Sequence, residues 1–189
     1  TPGILAQSVL FSAIFYGIAV IWERDLGVVH KLLVSPARRS ALVFGKAVSA
    51  GFRGLVQAAV IYVIAYIMNI AIRHDPLAVG GVLLAVLLGS GLFSTFSLII
   101  ACIVKTRERF MGIGQVLTMP MFFASNAIYP LDLMPPWLRS VAQLNPLTYL
   151  VDLLRGLMIV GGVSVHGYGV DFFVLIATFL VMVAIAVRL

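Results

Sequence analysis

The stretch LAVGGVLLAVLLGSGLFSTFSLIIACIV, Leu77 to Val104, holds no charged residue and is closed by Lys105, Arg107 and Arg109. As a helix rising ~1.5 Å per residue it covers the ~30 Å hydrocarbon core of a bilayer, where backbone polar groups must be satisfied internally. Gly3 to Trp22, Gly54 to Ile72, Met111 to Tyr129 and Phe172 to Val187 read in the same way. The expected fold is an all-α polytopic membrane protein with five transmembrane helices.

Basic residues orient these spans. Arg24, Lys31, Arg38, Arg39, Lys46 and Arg53 follow the first span, Lys105, Arg107 and Arg109 the third, and Arg188 the last. These alternate sides hold ten of the 13 Lys and Arg residues and are expected to be cytoplasmic; the other side has Arg73, Arg139 and Arg155. An odd span count then puts Thr1 outside. With no initiator Met, basic run or small-residue cleavage pattern at the start, an upstream segment is expected, most simply one more helix with a cytoplasmic N-terminus. That makes six spans in all.

Composition sets the class. Hydrophobic residues make up 62% and charged residues 11%, against roughly a quarter charged in soluble domains. One bundle domain over residues 1–189 is expected. The net charge of +6 is accounted for by membrane orientation, and no basic cluster is interleaved with stacking aromatics, so no nucleic-acid partner is expected. Cys102 stands alone, without a disulfide framework or metal-ligand spacing, and no metal ligands are expected.

Two regions exceed what a plain bundle needs. The inner loop, residues 23–53, is longer than a hairpin turn requires. Val28, Leu32 and Leu33 fall on one face at helical spacing, with Lys31 and Arg24 elsewhere, and Pro36 holds Ser35 out of the helical region. A short amphipathic helix ending near Val34 is expected, then a second helical run from about Ser40, a possible cap, into span two. Such a helix can lie in the headgroups with Arg38 and Arg39 near anionic lipid, or dock into a groove on a soluble partner. The outer region, residues 130–164, is divided by Pro130, Pro135, Pro136 and Pro146. Pro136 suits the first turn of a short helix through Trp137 and Leu144, ended by Asn145-Pro146, and Leu147 to Met158 offers another, with Asp152 and Arg155 spaced to pair. The alternatives are a pair dipping into the outer leaflet or lining an exit path, and a lid over the bundle.

Spans one to four contain no Asp, Glu, Lys, Arg or His, and Asp171 stands at the border of the fifth. An ion-coupled carrier generally keeps such a group near mid-membrane, so the energy for transport is expected from elsewhere. Neutral polar groups are Ser8 and Ser12, Gln57 and Asn69, Ser90, Thr95 and Ser97, then Gln115, Thr118 and Asn126. Each serves as an interhelical hydrogen bond worth roughly 1 kcal/mol; together Ser12, Gln57, Asn69, Ser97, Gln115, Thr118 and Asn126 form a candidate wall for an amphipathic substrate. Ser90, Ser94, Ser97 and Ala101, with Gly80, Gly81, Gly89 and Gly91, make span three a close-packing face. Pro120 is expected to kink span four. An intramembrane protease needs a Ser–His pair on facing helices or a His-Glu-x-x-His run, and neither is present; nor is a Gly-rich phosphate loop, so no ATP site or enzymatic activity is expected in this chain.

The succession Ser8 to Gly17, then Trp22-Glu23-Arg24-Asp25-Leu26-Gly27, then Lys31-Leu32-Leu33-Val34-Ser35-Pro36 with Arg39 and Gly45-Lys46, resembles the permease subunits of ABC-2 type exporters. The likeness is strongest to the daunorubicin-resistance and nodulation-factor export branch. Tyr129-Pro130, Met134-Pro135 and Asn145-Pro146-Leu147-Thr148-Tyr149 with Asp152 and Arg155 resemble that family's re-entrant exit region, to which Trp137 also falls. The resemblance implies a six-span unit paired with a second permease, each docking an ATPase subunit that binds ATP and Mg; no cofactor is implied in this chain. It further implies residence among the lipids of a prokaryotic plasma membrane, and outward movement of a drug, lipid or glycan. Glu23, Arg24, Val28, His30, Leu32, Leu33, Arg38 and Arg39 then become the ATPase-coupling residues.

Overall fold

The computed structural model describes residues 2–27, 39–73, 75–104, 106–129 and 131–188, without the side chains of Arg39 and Asp132. Seven α-helices are described: α1 (Pro2–Asp25), α2 (Arg39–Ile67), α3 (Pro76–Ile103), α4 (Arg107–Phe123), α5 (Pro136–Leu144), α6 (Pro146–Met158) and α7 (Tyr168–Arg188). A 3-10 turn spans Leu131–Leu133. Among the described residues no strand forms, and the sole β feature is an isolated bridge between Ile72 and Ile159. The protein is an all-α polytopic membrane protein. Helices α1, α2 from Ser40, α3 and α7 are each long and apolar enough to cross a membrane.

Helix α3 is the axis of the bundle, packing against α1, α2, α6 and α7. Its start follows from local chemistry. Asp75 is the N-cap, its carboxylate accepts the Leu77 N–H, and Pro76 occupies the first turn, where a missing N–H costs nothing. Phe93 and Val86 of α3 meet Leu5 and Leu10 of α1, Leu150 and Leu154 of α6 and Leu175 of α7 in one core. The expected close approach at small residues is present: a Cβ on Gly54 of α2 would run into the Ser90 hydroxyl, and one on Gly89 would lie 2.7 Å from Leu150. Elsewhere apolar side chains face outward, including Phe52, Val56 and Val60 on α2 and Phe173 and Leu180 on α7. A soluble domain hides such a belt; a membrane protein turns it to lipid.

Three boundaries depart from the expected spans. Helix α2 runs unbroken for 29 residues, so the helical run expected from about Ser40 into span two is present with Lys46 and Arg53 inside it, but it begins at Arg39 and Ser40 is not its cap. It stops at Ile67, short of Ile72, because Asn69 adopts a left-handed φ of 52° and closes the helix. The Ile70 N–H reaches the Ala65 carbonyl at 3.0 Å and the Asn69 N–H the Tyr66 carbonyl at 3.1 Å, the paired bonds of a Schellman ending. Helix α4 has 17 residues and stops at Phe123, not Tyr129. Pro120 has no N–H for the Val116 carbonyl, and one turn later the Ser125 hydroxyl takes the Phe122 carbonyl at 2.7 Å and ends the ladder.

One buried hydroxyl ties two helices together, while those of Thr95 and Thr118 bond within their own helices. Ser97 of α3 donates to the Ile14 carbonyl of α1 at 2.7 Å. Ser97→Ala is expected to lower unfolding free energy by about 1 kcal/mol. Reversible unfolding in mixed detergent micelles measures this, and an unchanged midpoint would show that the bond is not a net stabiliser.

Candidate functional site

The bundle has two differently built ends. At the basic end, the last turn of α1 is latched to its neighbours. Glu23 pairs with Lys46 of α2, Asp25 with Arg107 of α4 at 3.0 Å, and the Arg107 guanidinium stacks 3.8 Å from the Trp22 ring centroid. Arg24 donates to the Ala101 carbonyl at 3.3 Å, placing a cation at the negative end of the α3 dipole. Glu23 and Arg24, expected in a loop, are therefore part of α1 and brace the base of the inner segment. Val28, His30, Leu32, Leu33 and Arg38, the side chain of Arg39, and the amphipathic helix expected before Val34 lie outside the described residues.

The seven polar span residues do not form one wall. Ser12 and Gln57 meet Tyr16, Arg53 and Ser90 in a crevice between α1, α2 and α3, where Arg53 stacks 4.8 Å from the Tyr16 centroid. The crevice holds about 10 Å³, the room of a single water, so it is no substrate channel by itself. Gln57 Oε1 and Ser90 Oγ have no hydrogen-bond partner among the described residues. Ser97 is spent on Ile14, and Thr118 donates within α4 to the Gly114 carbonyl. Gln115 lies exposed on a groove of about 200 Å³ between α1 and α4, lined mainly by Phe11, Phe15, Phe110 and Met119. Asn69 and Asn126 both sit at the opposite end, Asn69 exposed after α2 and Asn126 fully buried after α4. A second apolar groove of about 400 Å³, among Phe93, Phe96, Pro120, Leu144 and Met182, has no counterpart in the polar reading of the spans.

The opposite end carries the short helices. Pro136 and Pro146 occupy the first turns of α5 and α6, as expected, and the Asn145 carboxamide accepts the Leu147 N–H at 3.0 Å while donating to the Met121 carbonyl. Asn145 thus caps α6 and straps it to α4. Pro130 lies outside the described residues. Trp137 on α5 is exposed, whereas Leu147, Leu150, Val151, Leu153 and Leu154 of α6 are fully buried. Helix α6 is thus a core element of the bundle, whereas α5 buries Ala142 alone.

Asp152 and Arg155 do not pair. Arg155 donates to the Asn126 carbonyl at 2.7 Å. Asp152 turns to the segment before α7, where its Oδ2 accepts the Val165 N–H at 2.8 Å and the His166 N–H at 3.1 Å and lies 3.1 Å from His166 Nδ1. The Ser164 hydroxyl lies 2.7 Å from Asp171 Oδ2 and 3.3 Å from Asp152 Oδ2. Tyr149 stacks its ring 5.1 Å from that of His166. Asp152, His166 and Asp171 thus form a cluster in which one potential ligand atom of each lies within 4.8 Å of the others. Its members lie within 20 residues of one another, on α6, on the segment before α7 and on the first turn of α7, and the turn between the two helices brings them together.

An all-helical bundle with lipid-facing apolar sides, a latched basic end and a buried short helix at the other is the architecture of a polytopic membrane protein. The family model for the ABC-2 type transporter matches residues 1–159, and the chain belongs to that family. It is similar to a protein named as a transport permease, ycf38, of Cyanophora paradoxa, at 29% identity over 82% of this chain and 53% of that protein. A protein named as a multidrug ABC transporter permease, YbhR, of Escherichia coli strain K12 is 27% identical over 73% of this chain and 37% of its own. The daunorubicin resistance ABC transporter permease protein DrrB1 of Streptomyces coeruleorubidus is 21% identical over 83% and 56%. The chain spans about half the length of these relatives or less.

Proposed function

We propose that the protein is the permease subunit of an ATP-driven exporter that moves a hydrophobic or amphipathic molecule, of the drug, lipid or glycan class, outward across a prokaryotic plasma membrane. The family match over residues 1–159 carries this reading. A separate ATP-binding subunit holds ATP and Mg, and a second permease completes the pathway among membrane lipids. Residues 1–189 then form one transmembrane domain, with residues 23–53 for coupling and residues 130–164 at the exit. Two observations support the layout. The crevice within one subunit is too narrow to pass a substrate, which fits a pathway completed by a second copy. The Glu23–Lys46, Asp25–Arg107 and Arg24–α3 contacts join four helix ends around the base of the Val28 to Arg38 segment, so a push on it reaches the bundle. In this reading Val28, Leu32 and Leu33 fill an apolar groove on the ATPase, with His30, Arg38 and Arg39 around them. Pro130, Trp137, Asn145, Pro146, Tyr149, Asp152 and Arg155 border the exit.

The double substitution Leu32→Asp and Leu33→Asp puts two charges into that contact. Each is expected to cost about 2 kcal/mol, roughly thirtyfold in ATPase affinity. Copurification and permease-dependent ATP turnover in nanodiscs measure it, and unchanged values for both would sink the coupling assignment. The fully buried Asp152 and Asp171 favour one competing reading, an ion-coupled carrier, over a passive pore. Transport that persists with ATP after collapse of the proton gradient excludes that carrier.

A further inference from the structure

We propose that the junction of α6, the segment before α7 and the first turn of α7 binds a transition-metal dication through Asp152, His166 and Asp171, with Zn²⁺ its best fit. One ligand atom from each residue lies within 4.8 Å of the others. A metal with bonds of ~2.1 Å draws such a set together by side-chain rotation alone.

The unmatched acceptors at this junction call for a cation independently of that spacing. Asp152 and Asp171 are both 0% exposed, yet Oδ1 of each has no hydrogen-bond partner among the described residues. Buried carboxylate oxygens are expensive unless a donor or cation meets them. The donors nearby serve the Oδ2 atoms alone: Asp152 Oδ2 accepts the Val165 and His166 N–H groups, and the Ser164 hydroxyl, 2.7 Å from Asp171 Oδ2 and 3.3 Å from Asp152 Oδ2, has one proton to give while it accepts the Gly167 N–H at 2.8 Å. Arg155, one turn along α6 from Asp152, donates to Asn126 instead of to either carboxylate.

The donor set selects the metal. Ca²⁺ and Mg²⁺ take oxygen ligands almost alone, whereas two carboxylates with one imidazole suit Zn²⁺, or Mn²⁺ with lower affinity. The His166 side chain is 21% exposed while that of Asp152 is 0% exposed, so the imidazole edge is the way in. The bound ion links α6 to the first turn of α7, which the described His166–Asp152 pair does not reach. It is a clasp on the exit side of the bundle.

The test uses the full-length permease in nanodiscs, stripped with a chelator and titrated with Zn²⁺, Mn²⁺ or Ca²⁺. Bound metal is read by mass spectrometry and stability by the thermal midpoint. One Zn²⁺ per chain and a raised midpoint are expected, with no shift from Ca²⁺. Asp171→Asn keeps the shape of the site, and His166→Gln leaves both buried carboxylates in place. Each should weaken Zn²⁺ binding at least about tenfold and abolish the midpoint rise. Absence of stoichiometric Zn²⁺ in the wild type, equal binding in both variants, or an equal shift from Ca²⁺ overturns the proposal. So does an Asp171→Asn protein more stable than a wild type that ignores metal, since that result means the two acids share a proton.

Discussion

Asp152→Ala is expected to lower the unfolding free energy by about 2–3 kcal/mol, because one carboxylate oxygen organises the whole segment between α6 and α7. Its Oδ2 accepts the Val165 and His166 N–H groups and lies beside His166 Nδ1. Alanine leaves two backbone donors without their acceptor, each costing about 1–3 kcal/mol when buried, offset in part by relief of a desolvated charge. Asp152→Asn retains an oxygen at the same place and is expected to cost about 1 kcal/mol, less than half as much. Unfolding in mixed micelles gives both values. An alanine variant within about 0.5 kcal/mol of wild type would mean that the segment is held by other contacts.

Gly17→Leu is expected to be still more damaging, at about 3 kcal/mol, because it strikes the point where α1, α3 and α4 meet. A Cβ there would overlap the Ser97 hydroxyl and the Phe110 ring. Helix α4 buries just Phe110, Gly114 and Thr118, so evicting Phe110 removes its main anchor to Ile21, Ile100 and Ala101. The same substitution at Gly112, on the open side of α4, meets nothing within 4 Å and should leave the midpoint unchanged. Equal behaviour of the two variants would refute the anchoring role of Phe110. Limited proteolysis between α3 and α4 supplies a second readout, faster in Gly17→Leu alone.

The two predictions fall on opposite sides of what a reader of the chain can see. Spans and short helices announce themselves through hydrophobic length and proline placement: Pro136, Asn145 and Pro146 mark α5 and α6 nearly to the residue, and the glycines and serines of Leu77 to Val104 mark the central helix. These are local signals, and local signals survive folding. Two boundaries were less legible because one residue outweighed a hydrophobic run. The Asn69 left-handed turn ended α2 inside an apolar stretch, and Ser125 did the same for α4. The continuity of α2 through Lys46 and Arg53 was legible as a helical run from about Ser40, but what shelters the two charges was not. Charge marks a loop when it is solvated, but here Lys46 meets Glu23 and Arg53 lies on the Tyr16 ring. The Asp152–His166–Asp171 cluster and the sorting of the polar span residues into separate places are wholly tertiary. Asp152 even has a plausible local partner in Arg155, which the fold sends elsewhere.

Helix α2 deserves to be thought of as a machine part. Its 29 residues make a rod about 43 Å long. The crowded crossing of Gly54 on Ser90 lies about 22 Å from Arg39 and about 20 Å from Ile67, close to the midpoint. That crossing is one grip among several: Val43 packs against Ile99, Val183 and Ala186 and Phe44 lies edge-on to Phe179 toward one end, while Ala58 and Ala65 are fully buried toward the other. A helix gripped along its length resists both bending and tilting, so α2 serves as a stay that stiffens the bundle beside α3 over most of its height.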